Sequence, residues 1–131
     1  MEKKRAIICV DDEVIILMSL KQELTSYFKD KYVFEVAMTP KKALEIIEDL
    51  YREGISIGLI ITDWLMPGMK GDDFLLEVGE KYKGIKSIII SGHADDEAID
   101  NIKEKINLQA FIQKPWSKSS LIEAIEKSLE S

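Results

Sequence analysis

Five apolar runs of strand length, RAIICV, YVFEVA, IGLIIT, IKSIII and AFIQK, alternate along the chain with longer stretches whose apolar residues recur at helical spacing. That alternation is the pattern of repeated βα units built around a mainly parallel sheet. Leu17, Leu20, Leu24 and Phe28 form the first helical stripe, and Ala43, Leu44, Ile47, Leu50 and Tyr51 form the second. Phe74, Leu75, Val78 and Tyr82 follow, then Ile99, Ile102 and Ile106, and last Leu121, Ile122, Ile125 and Leu129. Thr39 before Pro40 makes a good N-cap and first-turn pair, and Ser117 sits where the last helix needs a cap.

The five runs are not equivalent. The first, third and fourth are almost wholly apolar, as strands covered by helices on both faces should be. The second contains Glu35 and the fifth Gln113, which an edge strand tolerates. Strands 2 and 5 are therefore expected at the edges, and the order 2-1-3-4-5 of a flavodoxin-like, doubly wound α/β sandwich, (βα)5 with a five-stranded parallel sheet, satisfies this. At 131 residues the chain fits one compact domain, 1–131, that buries roughly two thirds of its unfolded surface.

Composition removes several function classes. The net charge is −6 and the pI near 4.9. The basic residues Lys41, Lys42, Lys81, Lys83, Lys103 and Lys105 are scattered and form no basic stripe, which argues against direct nucleic-acid binding. Cys9 is the only cysteine, so neither an internal disulfide nor a Cys-based zinc site can form, and it reads as a small buried apolar residue. No apolar run approaches the ~20 residues of a membrane span, and the amino end is too short in apolar residues for a secretory signal. These features point to a cytoplasmic protein without a membrane partner.

In a sheet of this kind ligands bind outside the carboxyl ends of the strands. Strand 1 ends on Asp11 and Asp12 with Glu13 next, strand 3 on Asp63, strand 4 on Ser91, and strand 5 on Lys114 followed by Pro115. Carboxylates gathered at one edge raise one another's pKa unless something positive is present. A hard divalent cation meets that need, and all-oxygen ligands with room for water suit Mg²⁺. Lys114 adds a positive charge and Ser91 a hydroxyl, which together suit a dianionic phosphoryl group. Asp63, alone on the middle strand, is best placed as the nucleophile, because a carboxylate forms an acyl phosphate without a base to activate it. One Asp at a strand end is usually a turn former, and one Lys-Pro usually a loop. Five such residues on four strand ends, with complementary chemistry, outweigh that reading.

The segments VDDE, TDWLMPGMKG, ISGHAD and FIQKPW, each at its strand end, resemble the receiver domain of two-component response regulators over essentially the whole chain. The resemblance implies that Asp63 accepts a phosphoryl group from a phosphohistidine on a sensor histidine kinase or phosphotransfer protein. It implies Mg²⁺ held by Asp11, Asp12, Asp63 and the backbone carbonyl of Leu65. Lys114 would contact the phosphoryl group, Ser91 would swing in to hydrogen-bond it, and the Lys114-Pro115 peptide would be cis. Phe111 matches the aromatic switch position without a Tyr hydroxyl, which leaves burial to favour its inward state. Moving the switch almost completely requires the phosphoryl group to favour the active arrangement by roughly 5.5 kcal/mol. The helix around Asp95 to Ile106, strand 5 and the last helix form the expected surface for a downstream target, an effector domain or a homodimer. Leu65 and His93 are candidate tuners of phosphate lifetime. Trp64 and Trp116 flank the site as packing residues.

Rival readings meet specific obstacles. An aspartate-nucleophile phosphatase needs an acid two residues after the nucleophile, where Leu65 stands. A flavin carrier needs a phosphate loop after strand 1, where VDDE would repel the phosphate. An unphosphorylated flavodoxin-like binding module would not need the intact set of polar strand ends. The same reading makes the chain a signalling phosphoacceptor that at most catalyses its own phosphorylation and dephosphorylation. It is expected to stand alone or to be the receiver fragment of a larger regulator or hybrid kinase.

Overall fold

The computed structural model describes residues 4–64, 66, 70–92, 97, 100, 103 and 105–130. Five strands, β1 (Ala6–Val10), β2 (Val33–Ala37), β3 (Ile57–Thr62), β4 (Lys86–Ser91) and β5 (Leu108–Gln113), form one sheet in the order β2-β1-β3-β4-β5. Every neighbouring pair is parallel. Four helices are described: α1 (Val14–Phe28), α2 (Pro40–Arg52), α3 (Gly71–Lys81) and α4 (Lys118–Glu130). The helix expected between Asp95 and Ile106 falls mostly outside the described residues, with Leu65 and His93. Ile106 itself is buried in the turn before β5.

Alternation along the strands divides the core into two layers. Ile8, Val10, Ile60 and Ile89 face Ala43, Ile47 and Leu50 of α2 and Phe74, Leu75 and Val78 of α3. Ile7, Cys9, Leu59, Ile61, Ile88 and Ile90 face Leu17, Leu20, Leu24 and Phe28 of α1 and Leu121, Ile122, Ile125 and Leu129 of α4. The three central strands are thus covered on both faces, which is why their sequences carry so few polar residues. β2 and β5 are only half-buried, and their polar residues Glu35 and Gln113 sit at the edges.

Two caps stop the ends of helices from leaving amides unpaired. Thr39 Oγ1 accepts the Lys42 N–H at 3.0 Å, and Ser117 Oγ accepts the Ser120 N–H at 3.3 Å. One stripe residue departs from expectation: Tyr51 is 44% exposed and stacks on Tyr82 of the neighbouring βα unit, centroids 4.5 Å apart. β5 also begins at Leu108, two residues before the AFIQK run, because the β4–β5 register steps past Gln109.

Candidate functional site

The parallel ladder runs one residue beyond β1 and β3. The Asp11 N–H donates to the Ala37 carbonyl at 3.1 Å, and the Asp63 N–H to the Val10 carbonyl at 3.0 Å. Both aspartates are therefore held by sheet backbone at adjacent strand ends, and both are buried, 2% and 7% exposed. After Asp63 the chain turns Trp64 and Met66 into the α2–α3 side of the core. This anchors the acid on its downstream side.

Each buried carboxylate divides its oxygens in the same way. Asp63 Oδ1 accepts the Trp64 N–H at 2.7 Å, and Oδ2 accepts Lys114 Nζ at 3.1 Å. Asp11 Oδ1 accepts the Glu13 N–H at 2.9 Å, and Oδ2 accepts Lys114 Nζ at 2.8 Å. Glu13 Oε1 lies 3.6 Å from the same ammonium. Sequence reasoning noted Glu13 beside the pair but gave it no role, although the VDDE segment carried the signal. Asp12 is exposed, yet one carboxylate oxygen each of Asp11, Asp12, Glu13 and Asp63 falls within 4.8 Å of the others.

Among the described residues four acids stand against one ammonium, which leaves the pocket negative. Burial pushes the Asp11 carboxyl above its ordinary value, the Lys114 and Glu13 hydrogen bonds oppose that rise, and the Asp63 charge adds to it. For Lys114, burial is the largest single influence and favours the neutral amine, but the bonds to Asp11 and Asp63 together outweigh it and raise its pKa. The donors are all hard carboxylate oxygens on a site short of positive charge, which fits Mg²⁺ and not a soft metal.

Ser91 closes β4 at the same edge, is buried, and accepts the Lys114 N–H on its carbonyl at 3.0 Å. The Lys114-Pro115 peptide is cis. Phe111 lies opposite Ile89 in the β4–β5 register, half-buried against the α2–α3 layer. The structure thus brings Asp11, Asp12, Glu13, Asp63, Ser91 and Lys114 to one edge and keeps Phe111 below it in the sheet.

The family model for the response regulator receiver domain matches residues 7–126. The chain belongs to the response regulator receiver family. This receiver domain is 31% identical over 130 residues to the hydrogenase transcriptional regulatory protein HoxA of Cupriavidus necator, covering 99% of the chain and 25% of that protein. It is 31% identical over 122 residues to the transcriptional regulatory protein FixJ of Rhizobium meliloti, covering 92% of the chain and 55% of that protein. It therefore spans at most about half the length of either. Among solved structures, a CheY-like response regulator receiver domain protein from Methanospirillum hungatei JF-1 superposes with a TM-score of 0.83 at 29% identity, covering 98% of this chain and 95% of that one. Receiver domains are signalling phosphoacceptors of two-component systems that bind Mg²⁺ in an acidic pocket, and the Asp11, Asp12 and Asp63 cluster fits such a site.

Proposed function

We propose that Asp63 is the phosphoacceptor and that the donor is a phosphohistidine on a sensor kinase or phosphotransfer protein. The observation that carries this reading is the shared bonding of Lys114 to Asp11 and Asp63 at the carboxyl edge. It puts a cation beside the one carboxylate that sits alone on the middle strand. In the transfer an Asp63 carboxylate oxygen attacks phosphorus and the P–N bond breaks. Its electron pair returns to the imidazole, and the product is an acyl phosphate. Lys114 then turns its ammonium from the two carboxylates to the phosphoryl oxygens, and Ser91 supplies a hydroxyl donor from the end of β4.

Asp11, Asp12, Asp63 and the Leu65 carbonyl are the proposed Mg²⁺ ligands. When bound, the ion neutralises charge on the phosphoryl oxygens. Ser91 and Phe111 are the proposed switch pair, and Leu65 and His93 the residues that set phosphate lifetime. The exposed apolar side chains Val14, Ile15 and Met18, directly after the acidic loop, support a protein donor seating there. The chain acts on this reading as a single domain, 1–131, in the cytoplasm, a placement supported by the absence of any described helix long and apolar enough to cross a membrane. Its output is contact with a target or effector domain, or self-association, through the 95–106 segment, β5 and α4.

The test is intact-mass measurement after incubation with Mg²⁺ and acetyl phosphate. Wild type should gain one phosphoryl adduct and Asp63→Asn none. An adduct of equal yield and acid stability on Asp63→Asn would refute the assignment.

A further inference from the structure

The turn that carries Lys114 is held at three points. The Lys114 N–H bonds to the Ser91 carbonyl of β4, and Ser117 caps α4. Between them, Trp116 Nε1–H donates to Glu23 Oε2 on α1 at 2.8 Å, while its ring packs against the α1–α4 layer of the core. Among the described residues this is the one hydrogen bond that joins the 114–117 turn to α1. Both partners are half-buried, so the bond is partly shielded from competing water. A groove of about 410 Å³, lined by Ile16, Ser19, Glu23, Lys114, Pro115 and Trp116, runs along this junction.

The Lys114 ammonium sits at the end of a four-carbon stem and reaches Asp11 and Asp63 at 2.8 and 3.1 Å, so the volume it can sweep at the site is set by the backbone beneath it. A displacement of about 1 Å at a reacting centre can cost up to ~10²-fold in rate. We infer that Glu23 is a positioning residue for Lys114, acting through the Trp116 indole. The inference rests on the phosphoacceptor reading of Asp63 and adds to it a residue in the second half of α1, away from the acidic loop. Among the described residues Glu23 hydrogen-bonds to the Trp116 indole and to neither aspartate, so its effect should depend on an acceptor for the indole N–H and not on its charge.

That dependence gives the test. Wild type, Glu23→Ala, Glu23→Gln and Trp116→Phe are labelled with acetyl phosphate and Mg²⁺ while adduct formation is followed by mass. In parallel, the indole ¹⁵N–¹H spectrum, with one signal for each of the two tryptophans, is recorded and assigned through Trp116→Phe. Glu23→Ala and Trp116→Phe should each label roughly tenfold more slowly, and the double variant no more slowly than either single one. Glu23→Gln, which keeps an acceptor oxygen, should restore most of the rate and keep the Trp116 signal near its wild-type position, whereas Glu23→Ala should shift it. Wild-type labelling with an equal rate in Glu23→Ala, or a Gln variant as slow as the Ala variant, overturns the inference and leaves Asp63 standing. No adduct on wild type overturns the phosphoacceptor reading and this inference with it.

Discussion

At the amino end of the sheet Lys86 donates to the Ser128 carbonyl at 2.6 Å, Arg5 donates to the Leu129 carbonyl at 3.1 Å, and Ser87 Oγ donates to the Ile106 carbonyl at 2.9 Å. At the carboxyl end one ammonium faces Asp11, Asp63 and Glu13. The two cations of the amino end meet the last carbonyls of α4, where the helix dipole favours positive charge by about 0.3–1 kcal/mol each. Like charges crowd the other end instead, where burial, with the Asp63 charge adding to it, holds Asp11 above its ordinary pKa. Polar groups at the first end are matched to neutral partners and serve stability. Those at the second end are mismatched with one another, which is the condition for recruiting a cation from outside.

Removing the cation from each end should separate these roles most sharply. Lys114→Met takes away the one ammonium that, among the described residues, lies against Asp11 and Asp63, whose side chains are 3% and 9% exposed. Leaving buried charge uncompensated costs about 3–5 kcal/mol, and losing a preorganised cation at the reacting group costs about 10²–10³-fold in rate. Urea unfolding in EDTA should therefore show a loss near the lower end of that range, and acetyl phosphate labelling a fall of at least 10²-fold. Asp63→Asn should behave oppositely in stability, because it removes one of the mutually repelling charges while abolishing the adduct. A Lys114→Met variant as stable as wild type would mean that the two ends differ less than their geometry implies.

Lys86→Met makes the complementary change. It removes a charged hydrogen bond to the Ser128 carbonyl, worth about 1.5–3 kcal/mol, and should leave the labelling rate unchanged. Cys9, in the β1 layer between the two ends, offers a local readout. Burial pushes its thiol from 9.0 up to about 12, so at pH 8 a disulfide reagent should react only through opening of the fold. Lys86→Met should raise that reaction rate by at least tenfold, following ~1.4 kcal/mol per decade. Slower phosphoryl labelling in this variant would tie the amino end to the site and break the comparison.

Much of the site is legible in the sequence itself. Glu35 and Gln113 mark strands 2 and 5 as edges, an expectation that the order 2-1-3-4-5 satisfies, and the convergence of Asp11, Asp63, Ser91 and Lys114 follows from what each strand ends on. Both are local patterns that a parallel sheet converts directly into position. Tyr51 lies in its stripe by helical period, but its partner is Tyr82 of the next unit, and one helix's periodicity carries no record of a neighbour. Glu23 and Trp116 stand 93 residues apart with nothing local to join them. Glu13 was visible as an acid beside the pair. Its approach to Lys114 depends on α1 starting at Val14, with the Glu13 N–H bonded back to Asp11.

The smallest expected effect belongs to Gly58, again at the amino end. The β1–β3 register steps past this residue, with Ala6 opposite Ile57 and Ile7 opposite Leu59. A Cβ there would stand 2.8 Å from Leu129 Cδ2 and 3.6 Å from Arg5 Cδ. Leu129 meets it with the far end of a flexible side chain, so the overpacking cost should sit near the bottom of the usual ~1–3 kcal/mol range. Against it stands a gain of about 0.4–1 kcal/mol from restricting the unfolded chain. Gly58→Ala should therefore lower unfolding free energy by less than about 1 kcal/mol, the margin between those two contributions. Gly58→Val, whose branches cannot be cleared by one leucine methyl, should lose more. Neither should alter the labelling rate, since the perturbation reaches Arg5 and the end of α4 and leaves the backbone under Asp63 in register with Val10.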